Sequence, residues 1–155
     1  PELGENYVPY VVETSIGLDR MFLAVLSKSL INETLEDGSQ RTVLKLPAFL
    51  APSKVAILPL LKKDGLPEKA REVMDLLKFD HMVQYDEKDA IGKRYRRQDA
   101  AGTPLCVTID HKSLEDNTVT VRFRDTMEQI RIPISELKAL TNEKVSLNTQ
   151  YEKLS

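Results

Sequence analysis

The sequence predicts an α/β fold: a mixed β-sheet of about five strands flanked by helices. Three observations carry this. Val55–Leu61 is a continuous apolar run, as a strand buried on both faces requires. Thr118–Arg124 alternates with period two, placing Val119, Val121 and Phe123 on one face and Thr120, Arg122 and Arg124 on the other. Helical periodicity fills the stretches between them, so the order reads β-α-β-α-β-β-β-α, which argues a mixed sheet with helices packed on it.

Taken in order, residues 7–14 read as a strand and 18–30 as a helix, with Met21, Leu23, Ala24, Val25 and Leu26 apolar. Residues 32–40 are polar and turn-rich and read as a loop. Residues 43–52 read as extended, ending at Pro47 and Pro52, where proline terminates any helix. The main boundary falls here: residues 1–40 form one unit, 41–52 a linker and 53–155 the sheet domain. Val55 to Leu61 is then the first strand of that domain. Pro67 to Phe79 is a helix with proline in its first turn and Ala70, Val73, Met74 and Leu77 on one face. Met82 to Asp86 is a short strand, and Ala90 to Ala101 a helix with Ile91 and Tyr95 facing inward. Leu105 to Asp110 is a strand. Thr118–Arg124 pairs with Met127–Ile132 through a turn at Asp125, and Ser135 opens a closing helix.

The chain has 155 residues and a net charge of −2, which does not announce a nucleic-acid binder. The charge is uneven: residues 1–40 hold 2 basic and 7 acidic side chains, whereas residues 41–100 hold 13 basic and 9 acidic. Local charge, not the total, steers a polyanion. One cysteine, Cys106, excludes an internal disulfide and any cysteine-based zinc cluster. Lying mid-strand, it reads as a small buried hydrophobe. Two histidines, His81 and His111, read as loop residues and make no histidine-rich metal site, so no metal is expected. A reducing, cytoplasmic compartment fits this cysteine usage. No run is long and apolar enough to span a membrane, no signal-peptide pattern opens the chain, and Pro1 stands where an initiator methionine would.

Glu13-Thr14-Ser15-Ile16-Gly17-Leu18-Asp19-Arg20 lies between two apolar runs, Tyr7–Val12 and Met21–Leu26: a strand, a glycine turn and a helix. Carboxylates suit an ammonium group, and a guanidinium suits a polyphosphate or an adenine face. A catalytic-looking corner with almost nothing before it to complete a pocket reads as the tail end of a larger enzyme. Its strand, left without partners, is expected to dock on the α/β domain or on a second chain.

The stretch resembles the third signature motif of class II aminoacyl-tRNA synthetases, in the spelling Glu-x-Ser-x-Gly-hydrophobic-Asp-Arg of glycyl-tRNA synthetases. Residues 41–52, 54–61, Ile91–Asp99, Gly102–Asp110 and Arg124–Gln129 are similar, in the same order, to glycyl-tRNA synthetases of the dimeric type, so the resemblance runs from about Tyr7 to Leu140. It implies that residues 53–155 are the anticodon-binding domain fold of class II synthetases and that residues 1–40 are a strand–helix remnant of the catalytic domain. It also implies that the parent is a homodimer that glycylates glycine-specific tRNA with glycine and ATP, with Mg2+ accompanying the ATP. Glu13 and Ser15 would receive the glycine amino group and Arg20 would hold ATP. This chain lacks the other two class II motifs, so by itself it would neither bind ATP tightly nor catalyse. No membrane and no DNA partner is implied. The alternative is a non-catalytic RNA-binding accessory module reusing the same fold; Glu13, Ser15 and Arg20 argue against it.

Three groups remain as candidate anticodon or tRNA contacts. Lys93, Arg94, Arg96 and Arg97 cannot share one helical face: at about 100° per residue, Lys93, Arg96 and Arg97 cluster and Arg94 projects apart. They read either as a solvated helix face or, given the resemblance, as phosphate contacts, with Asp99 available to anchor one of them. Arg122 and Arg124, with Glu128 on the next strand, read equally as a cross-strand ion network or as readers of splayed bases. Lys62 and Lys63 follow the first strand, where open α/β sheets bind ligands.

Overall fold

The computed structural model describes Gly4 and residues 8–148. Tyr7, counted in the expected first strand, lies outside the described residues. Residues 8–14 form no strand, and Val8, Tyr10, Val11 and Val12 are fully or almost fully exposed. The expected docking of this segment on the α/β domain is therefore corrected. With no neighbouring strand to accept its ladder hydrogen bonds, an apolar run has nothing to fix it as a strand.

Helix α1 (Leu18–Ser29) follows as expected. Residues 32–40 were expected as a loop and 43–52 as extended chain. They form instead an antiparallel hairpin of β1 (Leu30–Thr34) and β2 (Gln40–Leu44), in which Asn32 faces Thr42 and Glu33 faces Arg41. A 3-10 turn, Ala48–Leu50, leads to the sheet domain. The ammonium of Lys54 accepts responsibility for its loose end, donating to the carbonyls of Ala48, Phe49 and Ala51 at 3.1, 2.8 and 2.8 Å.

The main sheet has five strands: β3 (Val55–Pro59), β4 (Val83–Tyr85), β5 (Leu105–Ile109), β6 (Thr118–Phe123) and β7 (Gln129–Pro133), in the spatial order β4-β3-β5-β6-β7. β3 runs parallel to β4 and β5, while β6 and β7 are antiparallel additions. Between them run α2 (Leu66–Leu77), α3 (Ile91–Ala101), α4 (His111–Asp116) and α5 (Ile134–Val145). α4 was not expected. Its signal was Asp110 followed three residues later by Ser113, which form a reciprocal capping box.

The two faces of the sheet differ. On one, Val55, Ile57, Val107, Val119 and Val121 pack under α2 and α5 in the main core. On the other, Ala56, Leu58 and Cys106 meet only Ile91 and Tyr95 of α3. Burial pushes the Cys106 thiol up to about 12, against the opposing charge of Arg122, so it is inert packing rather than a nucleophile. β6 and β7 extend beyond α3 on this second face, which they line with Thr118, Thr120, Gln129 and Arg131.

Candidate nucleic-acid interface

α3 sorts its four cations as the helical wheel requires. Lys93, Arg96 and Arg97 point outward, and Arg94 turns inward to 2 % exposure. Arg94 reaches past the carboxyl end of β3 and donates to the carbonyls of Pro59 (2.6 Å), Leu60 (3.2 Å) and Asp86 (3.2 Å). Burial pushes its guanidinium below the usual arginine value, and its Nε finds no partner among the described residues. Arg94 is thus a correction to the candidate contacts: it pins α3 to the strand ends and has no surface left for RNA.

Arg97 forms ion pairs with Asp86 (2.8 Å) and Asp89 (3.3 Å) in the open, where such pairs exchange readily with a competing anion. Arg96 donates to the carbonyl of Gln40 (2.7 Å) and the hydroxyl of Ser39 (3.2 Å). Lys93 forms no ion pair among the described residues.

Asp99 does not anchor a neighbour on its own helix. It is completely buried and accepts from Arg122 at 2.8 and 3.0 Å and from Arg41 at 2.9 Å. Arg41 continues to Glu33 at 3.0 Å and to the carbonyl of Arg124. Arg124 donates to the carbonyls of Gly102 (2.9 Å), Leu44 (3.1 Å) and Leu46 (2.8 Å), and pairs with Asp125 (2.7 Å). A buried polar cluster therefore joins the hairpin to α3 and β6.

The expected network with Glu128 is corrected accordingly, because the carboxylates that hold Arg122 and Arg124 are Asp99 and Asp125. Glu128 stands exposed on the β6–β7 turn, at the rim of a cavity of about 620 Å3 that also takes in Lys45 and Lys144. Arg124, at 3 % exposure, is a structural tie and not a base reader. Arg122 is nearly as buried, but its guanidinium lies 4.8 Å from the centre of the Tyr95 ring, at the margin of the uncovered sheet face.

That face carries groups which reading along the chain missed. Tyr95, half-buried, hydrogen-bonds the hydroxyl of Thr108 at 2.6 Å. Across the ladder Thr108 faces Thr120 and Thr120 faces Arg131. Arg131 holds Asp110 bidentately at 2.8 and 3.0 Å, and this pairing holds the Asp110 carboxyl down at about 2. The available signal was the alternation of β7, with Gln129 and Arg131 opposite Ile130 and Ile132. Lys62 and Lys63 are exposed at the carboxyl end of β3, where Lys63 lies 3.9 Å from Asp64. An aromatic ring, hydroxyls and cations on an open sheet face suit stacked and hydrogen-bonded single-stranded bases, with outward cations for phosphates.

Glu13 and Ser15 sit in exposed, irregular chain, and Arg20 projects from the exposed first turn of α1. No hydrogen bond or ion pair among the described residues gathers the three into a pocket. Met21, Phe22 and Leu23 of α1 are exposed as well. The described residues contain no group of three or more His, Cys, Asp or Glu placed to hold a metal, and none of the helices is long and apolar enough to cross a membrane.

Comparison with known proteins matches residues 54–144 to the family described as Anticodon binding domain. The chain is 56% identical over 134 residues to the glycine--tRNA ligase of Borrelia hermsii, an alignment covering 86% of this chain and 30% of that protein. It is 55% identical over 144 residues to the glycine--tRNA ligase of Macrococcus caseolyticus, covering 93% and 31% of the two chains, and 54% identical over 145 residues to that of Clostridium tetani, covering 94% and 31%. The chain thus spans about 30% of the length of these curated relatives.

Proposed function

This chain belongs to the anticodon-binding domain family, and from that premise we propose that it is the part of a glycine–tRNA ligase that holds the anticodon arm of glycine-specific tRNA. One observation carries the reading. The cations of α3 accompany an uncovered polar face that the antiparallel strands β6 and β7 carry next to Tyr95, a combination that suits single-stranded bases and their phosphates.

Lys93, Arg96 and Arg97 would contact phosphates and set the register of the RNA, with Lys62 and Lys63 adding to the attraction. Splayed bases would stack on Tyr95 and meet Thr120 and Arg131, while Arg122 holds Tyr95 from below. Arg94 and Arg124 act by fixing α3 and the strand ends. Glu128 stands on the β6–β7 turn beside Gln129; as an anticodon contact it is supported by the resemblance alone.

For the whole enzyme the reading extends the resemblance. The expected division into residues 1–40, a linker 41–52 and 53–155 is corrected at its first boundary, because the β1–β2 hairpin (Leu30–Leu44) crosses it and Arg41 ties it to Asp99 of α3; the chain before the hairpin is assigned to the catalytic domain, and the enzyme is a cytoplasmic homodimer. Glycine and ATP react to glycyl-adenylate and pyrophosphate, and the glycyl group passes to a hydroxyl of the terminal adenosine of the tRNA with release of AMP. Glu13 and Ser15 would receive the ammonium of glycine and Arg20 the nucleotide. Mg2+ would accompany the triphosphate of ATP, as the resemblance implies. With about 30% of a relative's length, this chain would bind tRNA without charging it.

The test is the affinity of the 155-residue chain for glycine-specific tRNA and for the same tRNA with its anticodon changed, at one salt concentration. The intact anticodon should bind about tenfold or more tighter, since each base contact contributes roughly 1–3 kcal/mol. Equal affinity for both would overturn anticodon reading by this chain.

A further inference from the structure

The outward cations of α3 are not alike. Arg97 is neutralised by Asp86 and Asp89. Arg96 hydrogen-bonds only neutral groups, the Ser39 hydroxyl in the turn of the β1–β2 hairpin and the carbonyl of Gln40, which opens β2. That turn closes on itself through Leu35 N to Ser39 O and Gly38 N to Leu35 O, both 2.9 Å. It also carries two exposed carboxylates, Glu36 and Asp37. The Asp37 carboxyl is held below its usual value, first by hydrogen bonds from Ser39 and in smaller part by the charge of Arg96.

We propose that Arg96 is a positioning residue shared between the hairpin turn and the RNA, so that a tRNA phosphate takes its guanidinium and releases the turn from α3. The guanidinium now donates to uncharged oxygens; a phosphate offers it an opposite charge and a bidentate fit, so the exchange favours the phosphate. The phosphate also brings a like charge beside Glu36 and Asp37, which pushes the turn away. Release is confined to the turn, because β2 stays anchored beneath by Arg41 on Asp99 and by Leu44 O on Arg124. The inference rests on the proposed binding of tRNA to α3. It makes the hairpin the element that registers occupancy of the anticodon face.

Hydrogen exchange of residues 35–40 in the 155-residue chain, with and without glycine-specific tRNA, tests it. In the unsubstituted chain the turn amides should exchange about fivefold or more faster with tRNA bound, as the loss of the two Arg96 hydrogen bonds would give. In Arg96→Ala they should be fast already and unchanged by tRNA, and the dependence of log affinity on log salt should shallow by about one. A merely structural Arg96 would leave that slope alone. Bound tRNA with the turn unchanged or protected, or an unaltered slope in Arg96→Ala, overturns the shared role while leaving the proposed function standing. Failure of the unsubstituted chain to bind tRNA overturns both.

Discussion

Replacing Asp99 by Asn is the severest test of how this chain is held together. Asp99 is completely buried, and its two oxygens accept three charge-assisted hydrogen bonds from Arg41 and Arg122, themselves 2 % and 5 % exposed. Asn keeps the shape but removes the charge, leaving the buried Arg122 without a carboxylate and Arg41 with Glu33 alone. Removing one partner from such a buried cluster costs about 3–5 kcal/mol, because the stranded charges cannot return to water. For a chain of this size that corresponds to a fall in melting temperature of roughly 10 °C or more. Urea unfolding followed by circular dichroism reads the same loss as a midpoint lowered by about 2 M, at a slope near 2 kcal/mol per M. Asp125→Asn is the internal control. It removes the partly exposed acid beside Arg124, whose carbonyl ties to Leu44, Leu46 and Gly102 persist, and should cost less than about 1 kcal/mol. Equal and small effects from the two substitutions would refute the view that Asp99 neutralises a buried joint.

Two further predictions concern the rest of the frame. Asp110 is held at about 2, down from an ordinary 3.8, chiefly by hydrogen bonds from Arg131. A depressed carboxyl stabilises the folded state fully above about pH 4, and the contribution disappears as pH falls through about 2. Discounted for the partial exposure of the pair, it amounts to about 1–2 kcal/mol, so Arg131→Met should lower stability by that much at pH 7 and converge with the unsubstituted chain near pH 2; a constant difference across acid titration would contradict this. Gly102 adopts φ +81° and a Cβ there would stand 3.1 Å from the Leu44 carbonyl oxygen, so Gly102→Ala should destabilise by about 1–3 kcal/mol in thermal melts, and an unchanged melting temperature would show that the hairpin is not packed this tightly.

The sequence by itself determined the sheet domain and the order of its elements except α4. The strands β3, β5 and β6 are apolar runs or clean alternations, and the long helices bury one regular stripe, so each announces its own burial within about ten residues of chain. The same local periodicity separated Arg94 from Lys93, Arg96 and Arg97. It also carried the family resemblance, whose motifs are contiguous in the chain. The hairpin was not legible. Residues 32–40 are polar and lack alternation, and these strands are stabilised by docking rather than by an apolar face of their own. Only the tertiary structure decided what the arginines do. Arg41 meets Asp99 across 58 positions and Arg124 meets the Leu46 carbonyl across 78. A guanidinium on a strand face is a potential RNA contact or a buried tie according to which distant carboxylate or carbonyl the fold brings within 3 Å, and no local pattern encodes that choice.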